Sequence, residues 1–276
     1  MRVIGGLFFL LAALLALTAA ARAEFFVAPL RQVITAKDPV ARYRVSNASD
    51  RIVEARIDWL DLSATPEGYA LATTAVRPGL SAAPYLVVTP SRLRLEPGGH
   101  AEVVVRLKKG AAIPAGERRS HLLIETAPMR TPLRRASTGL EVDVGLGIST
   151  PVILRGGFSA PTLSFESSRL SRDADGHLVF ETTLKSGGRY SAYGSITAVL
   201  ERQGRTTLLA RIDNVAVYPD SGARRLSLPL RREVLPEGKL RLEFRSDGQD
   251  RATLSKIFEV APAPPAASAA KVNADR

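Results

Sequence analysis

Apolar residues recur at every second position, in short runs broken by turn residues, along most of this chain. "VEARIDWL" places Val53, Ala55, Ile57 and Trp59 on one side and Glu54, Arg56 and Asp58 on the other. Alternation of this kind is the period of a β-strand with one buried face. "RLRLEPGGHAEVVVRL" holds two such runs joined at Pro97-Gly98-Gly99, and "HLVFETTL" turns Leu178, Phe180 and Leu184 one way. "RLSLPLR" and "KLRLEFR" repeat the pattern with Leu226, Leu228 and Leu230, then Leu240, Leu242 and Phe244. Turn dipeptides separate the runs at Asp175-Gly176, Gln203-Gly204, Glu237-Gly238 and Asp247-Gly248. No stretch has a convincing helical period. Many short strands at this spacing predict an all-β chain of the sandwich type, with too many strands for one small sandwich.

The division into domains follows from the breaks. "TPVILRGGFSAP" reads as a joint, with Thr150-Pro151 closing a strand and Gly156-Gly157 forming a flexible corner. Two β-sandwich domains are therefore expected over residues 24–155 and 156–261. The Pro/Ala-rich end, residues 262–276, is too poor in large apolar residues to pack and is expected to be disordered. The first 23 residues carry Arg2, an apolar run and Ala21-Arg22-Ala23, the layout of a cleaved secretory signal peptide. An uncleaved anchor is the alternative, because Val3–Ala20 is nearly long enough to span a bilayer. No later stretch is apolar enough to cross one.

Composition narrows the function. There is no Cys, which rules out disulfides and thiol chemistry. The net charge of +11, or +9 without Arg2 and Arg22, suits an anionic partner. Export argues against nucleic acid, and the cations are scattered among acidic residues. Only "MRTPLRRAST" clusters them, at Arg130, Arg134 and Arg135, and a solvated basic loop is the better reading of it than a partner site. The three histidines, His100, His121 and His177, form no close metal-ligand pair in sequence. Ser191 in "GRYSAYG" lacks the G-x-S-x-G context, and no His follows it. Gly145-Leu146-Gly147 lies inside a strand pattern without the third glycine or the helix of a phosphate loop. No nucleotide motif and no catalytic set emerges, so no enzyme, cofactor or metal is expected. Asn47-Ala48-Ser49 is a formal glycosylation sequon that reads more simply as a turn after a strand.

One run stands apart. In "TGLEVDVGLGIST", Leu140, Val142, Val144, Leu146 and Ile148 form an apolar comb, while Glu141, Asp143, Gly145 and Gly147 leave the other face nearly bare. Such a strand either packs its own core or offers a surface to another chain.

Several segments, in order, resemble the PapD-like periplasmic pilus-assembly chaperones. "LRQVITAKDPVARYRVSN" is similar to that family's first strand, turn and second strand. "YLVVTPSRLRLEPGGHAEVVVRL" resembles its [FY]-x-V-x-P-P-x-x-R-L-x-P-G segment, and "IPAGERRSHLLIETAP" stands where its next strand does. The likeness is looser over the second domain, where "LKSGGRYSAYGSITAVL" resembles a strand-turn-strand unit. The resemblance implies two immunoglobulin-like β-sandwiches set at an angle, with a cleft between them. It implies a periplasmic chaperone without nucleotide or cofactor. Such a protein stabilises pilus or fimbrial subunits by lending them a β-strand, then delivers them to an outer-membrane usher. Leu140, Val142, Val144, Leu146 and Ile148 become the donor residues, a use of strand addition that needs side chains at every second position. The family anchors the subunit's terminal carboxylate with two cations. Gap-free alignment puts the first on Arg31. The second, a Lys on the donor strand, is absent, because no Lys occurs between Lys109 and Lys185. Arg155, near the joint, is the candidate to act with Arg31. The family's "D-R-E-S" run also appears here as "GERRS". A self-capped dimer of the free protein stays open. So does a secreted β-sandwich module of a surface layer or adhesive fibre, although only "EFFVAPL" precedes Arg31 as a free extension.

Overall fold

The computed structural model describes residues 25–127, 146–230, 232, 234–247 and 253–260. The expected signal peptide, the basic loop at Arg130–Arg135, the C-terminal tail, and Leu140, Val142 and Val144 lie outside them. Among the described residues no helix is long and apolar enough to cross a membrane.

The alternating runs fold as strands in two sandwiches. In the first, a four-stranded sheet runs in the order β1 (Phe25–Ala28), β3 (Val40–Asn47), β9 (His100–Leu107), β7 (Leu86–Thr89). It faces a five-stranded sheet in the order β2 (Gln32–Ile34), β11 (Gly147–Gly156), β10 (Gly116–Ala127), β4 (Val53–Leu60), β8 (Arg92–Leu95). Along β3 the odd-numbered Ala41, Tyr43 and Val45 are buried while Arg42 and Arg44 face out. Those buried residues pack with Val103, Val105, Leu122, Ile124, Val152 and Leu154.

The second sandwich pairs β12 (Thr162–Arg172), β13 (Leu178–Gly187) and β16 (Ala223–Pro229) against β15 (Arg205–Val217), β14 (Ala192–Arg202), β17 (Gly238–Ser246) and β18 (Thr253–Val260), each sheet in that order. Leu240, Leu242 and Phe244 are fully buried, as their spacing predicts. The two cores share no residue.

The structure departs from the sequence reading in two places, at Thr150-Pro151 and at Arg77–Leu80. The two runs joined at Pro97-Gly98-Gly99 are strands as read, and the joint carries the chain between sheets, because β8 and β9 belong to opposite sheets. Gly98 has φ +69°, and a Cβ on Gly99 would lie 2.8 Å from the Glu96 carbonyl oxygen, so the corner requires glycines. Thr150-Pro151 does not end a strand. β11 runs through it to Gly156, and the proline is tolerated because β2 pairs only with Val152–Leu154, leaving that side of Pro151 without a paired strand among the described residues. A short helix, α1 (Arg77–Leu80), also forms in a chain expected to have none, with Pro78 in its first turn where no N–H is needed.

One further element was not anticipated. β5 (Leu62–Ala64) and β6 (Tyr69–Leu71) form a separate two-stranded hairpin that joins neither sheet of the first sandwich.

Candidate functional site

The polar residues of interest gather where the two sandwiches meet. Arg31, between β1 and β2, is half-buried, and its Nη2 donates to the Ser191 hydroxyl at 2.9 Å. Its guanidinium lies 4.6 Å from the centroid of the Tyr193 ring, in cation–π range. Its Nε is buried with no hydrogen-bond partner. Nearby, the Thr150 hydroxyl donates to the Leu30 carbonyl at 2.6 Å, which fixes the segment carrying Arg31 against β11.

Ser191 connects Arg31 to a buried ion pair. Glu117 on β10 and Arg155 on β11 are register partners on the face opposite the core. Arg155 Nη2 meets Glu117 Oε2 at 2.7 Å, with side chains only 10% and 2% exposed. The same Oε2 accepts the Ser191 backbone N–H at 3.1 Å and its hydroxyl at 3.0 Å. Arg155 also packs beside the rings of Phe158 and Tyr190, at 5.2 and 5.8 Å. Arg155 is therefore committed to Glu117 and sits inside the domain contact. With one carboxylate between two guanidiniums, the Arg31–Glu117–Arg155 group keeps an excess positive charge, and Arg31 is its more exposed member.

A second contact lies beside the first. Arg119, 2% exposed, bonds the Asp220 carboxylate at 2.9 and 3.1 Å and the Leu62 carbonyl at 2.8 Å. Its guanidinium stacks 3.9 Å from the centroid of Tyr218. Burial pushes the Tyr43 and Tyr218 hydroxyls above the usual tyrosine range, so both are neutral donors at any physiological pH. His121 is buried edge-on against Tyr69, with ring centroids 5.0 Å apart. Burial, reinforced by the charge of Arg119, lowers its pKa to about 4.

The strand that carries the comb is only partly within the described residues. Along β11, Ile148, Thr150, Val152 and Leu154 all turn toward the first core. Ile148 packs at the rim of that core, and Leu146, the next residue on the same parity, is 53% exposed. Among the described residues, β11 pairs with β10 on one side from Gly147 to Gly156. On its other side β2 reaches only Val152–Leu154, so among the described residues the edge over Gly147–Pro151 carries no strand.

The remaining sequence candidates have structural roles. The Asn47 side chain is buried, and its Nδ2 donates to the carbonyls of Arg51, Leu95 and Glu96 at 2.7, 3.2 and 3.1 Å, so it is inaccessible as a glycan acceptor. Asp173, Asp175 and His177 come together at an exposed turn, where Asp173 Oδ1 accepts the backbone N–H groups of the other two. Sequence reasoning missed Glu117, Ser191 and Tyr193 as neighbours of Arg31. Only the departure at "GERRS" pointed toward one of them.

No protein-family model matches the chain, and no characterised protein matches it by sequence. Among solved structures it is similar to the YadV chaperone, at 10% identity and a TM-score of 0.47 over 86% of this chain and 100% of that one. It is similar also to the CupB2 chaperone of Pseudomonas aeruginosa, at 16% identity and 0.43 over 86% and 100%. A third likeness is to a Salmonella enterica structure of the SafA pilin in complex with the SafB chaperone, at 12% identity and 0.43 over 88% and 99%.

Proposed function

We propose that this chain is a periplasmic chaperone that holds fimbrial subunits by lending them the edge of β11, for delivery to an outer-membrane usher. The observation that carries the reading is the state of that edge. Among the described residues, the backbone groups of β11 that face away from β10 meet no strand over Gly147–Pro151, while its core-facing parity runs past the end of its own core at Leu146. Unpaired strand edges invite another chain to add to the sheet. In this reading Leu140, Val142, Val144 and Leu146 continue the parity of Ile148 and enter the subunit's apolar groove, with Ile148 at the boundary between the two cores.

Arg31 receives the subunit's terminal carboxylate. It stands near Thr150, at the end of the open edge, and belongs to a cluster with surplus positive charge. A carboxylate can replace the Ser191 hydroxyl on Nη2 and reach the buried, unsatisfied Nε, giving the bidentate pairing that Arg favours. Arg155, the candidate to act with Arg31 from its place near the joint, supports the anchor indirectly in this reading. It neutralises Glu117 and keeps Ser191, and through it Arg31, in position. The mechanism needs no nucleotide, since the energy comes from completing the subunit's sheet and core.

Coexpression with candidate fimbrial subunits tests the reading. A one-to-one complex is expected from the unmodified chain, and none from Val142→Asp combined with Val144→Asp. Undiminished complex from that double variant would end the donor-strand assignment. Arg31→Ala is expected to weaken capture by roughly 10- to 100-fold, the worth of a charge-assisted contact of about 1.5–3 kcal/mol.

A further inference from the structure

The hairpin β5–β6 leaves the first sandwich and attaches to the second. Its Ala64 N–H donates to Asp220 Oδ2 at 2.6 Å. The Pro66 carbonyl at its turn accepts the Arg225 N–H at 2.7 Å. Arg225 lies on β16, an edge strand whose only neighbour among the described residues is β13, so this bond caps a free sheet edge. Glu67 and Arg225 add an exposed ion pair at 2.8 Å, which contributes little by itself. At the base of the hairpin, the Leu62 carbonyl binds the buried Arg119, itself held by Asp220. Tyr69 fills the space between His121 of the first sandwich and Tyr218 of the second, with ring centroids 5.0 and 6.2 Å away.

The geometry points to an interdomain strap: the β5–β6 hairpin fixes the angle between the two sandwiches. Two domains joined by a Gly-Gly corner are expected to swing unless a substantial interface stops them. The Glu117–Arg155–Ser191 contact and the Arg119–Asp220 pair hold the second sandwich against β10 and β11. The strap extends that restraint outward, from Asp220 to the edge strand at Arg225, and limits the swing that remains. Its backbone bonds are short, and Asp220 serves both the strap and Arg119, so the strap and the buried pair hold or fail together. The cleft at Arg31 is then preformed rather than assembled when something enters it. This device does not depend on what occupies the cleft.

The absence of Cys allows clean spin labelling. Labels at Arg44→Cys and Lys239→Cys, exposed positions on separate sandwiches, report the interdomain distance by pulsed electron resonance. Arg225→Pro removes the N–H that meets Pro66 at an edge position where proline is tolerated. Arg225→Ala removes the side chain and keeps the N–H. Ala64→Pro removes the other backbone bond from the opposite side, and it tests the strap alone should Arg225→Pro fail to fold. Circular dichroism and thermal melting establish that each variant is folded. The expected result is a narrow distribution in the unmodified chain and in Arg225→Ala, broadened at least twofold in the folded proline variants. Unchanged widths in the folded proline variants would overturn the strap. Equal broadening by Arg225→Ala would overturn the assignment to its backbone bond.

Discussion

Replacing Glu117 by Gln isolates the electrostatics of the domain contact. The substitution keeps the side chain's size but removes the carboxylate that, among the described residues, contacts both Arg155 and Ser191. Both members of the pair are almost wholly out of solvent, so screening by water or salt offers little relief. Orphaning one charge of a buried pair costs about 3–5 kcal/mol, and the amide oxygen that Gln retains places the loss near the lower end, about 3 kcal/mol. For a chain of this size, that corresponds to a melting temperature lowered by about 6–12 °C. Differential scanning calorimetry reads the change directly, and separate transitions for the two sandwiches would show where the loss falls. Glu117→Gln with Arg155→Met removes both charges and should recover at least half the loss, because the penalty comes from the stranded guanidinium and not from a missing attraction. A single variant within about 0.5 kcal/mol of the unmodified chain, the range typical of exposed ion pairs, would refute this account. So would a double variant no more stable than the single one.

Other consequences are open to test. His121 is neutral when folded, with a pKa near 4 against 6.5 when exposed, so the unfolded chain takes up its proton first. Stability is therefore fully present above about pH 6.5 and falls as pH drops toward 4, by about 3 kcal/mol in total from this residue. Urea titrations across that range should show the slope, and His121→Phe, which preserves the packing on Tyr69, should flatten it. Asn47→Ala removes an amide shared by the Arg51, Leu95 and Glu96 carbonyls, the first and last of which also accept from Ser49 and Gly99, and should cost about 1–2 kcal/mol by chemical denaturation; mass spectrometry of the folded protein should find no glycan at Asn47.

The strands were the legible part of this molecule. "VARYRVSN" and "KLRLEFR" alternate because each has one face on a core and one in water, and that local fact is written in adjacent residues. The partners of those strands were not. The Pro-Gly-Gly joint between β8 and β9 is legible as a turn, but nothing local says that it carries the chain from one sheet to the other. Arg119 reads as a surface residue inside "GERRSHLLIE", because nothing near it in sequence announces Asp220, which buries it from the other domain. Arg155 looks free for the same reason, while Glu117 claims it from the neighbouring strand. The hairpin β5–β6 carries too short an alternation to register as an element, and its role depends on contacts more than 150 residues away. The period of two survived folding, whereas charge pairing was decided by tertiary structure.

The central claim is that the open edge of β11 becomes an inner strand when a subunit binds. Hydrogen exchange of the amides of Gly147–Thr150, compared between the free chain and its one-to-one complex with the copurifying subunit, tests this most directly. The account predicts that outward-facing amides over this stretch exchange readily in the free chain and are slowed at least 100-fold in the complex, as those amides enter a new ladder. Unchanged exchange there, in a stoichiometric complex, would contradict it.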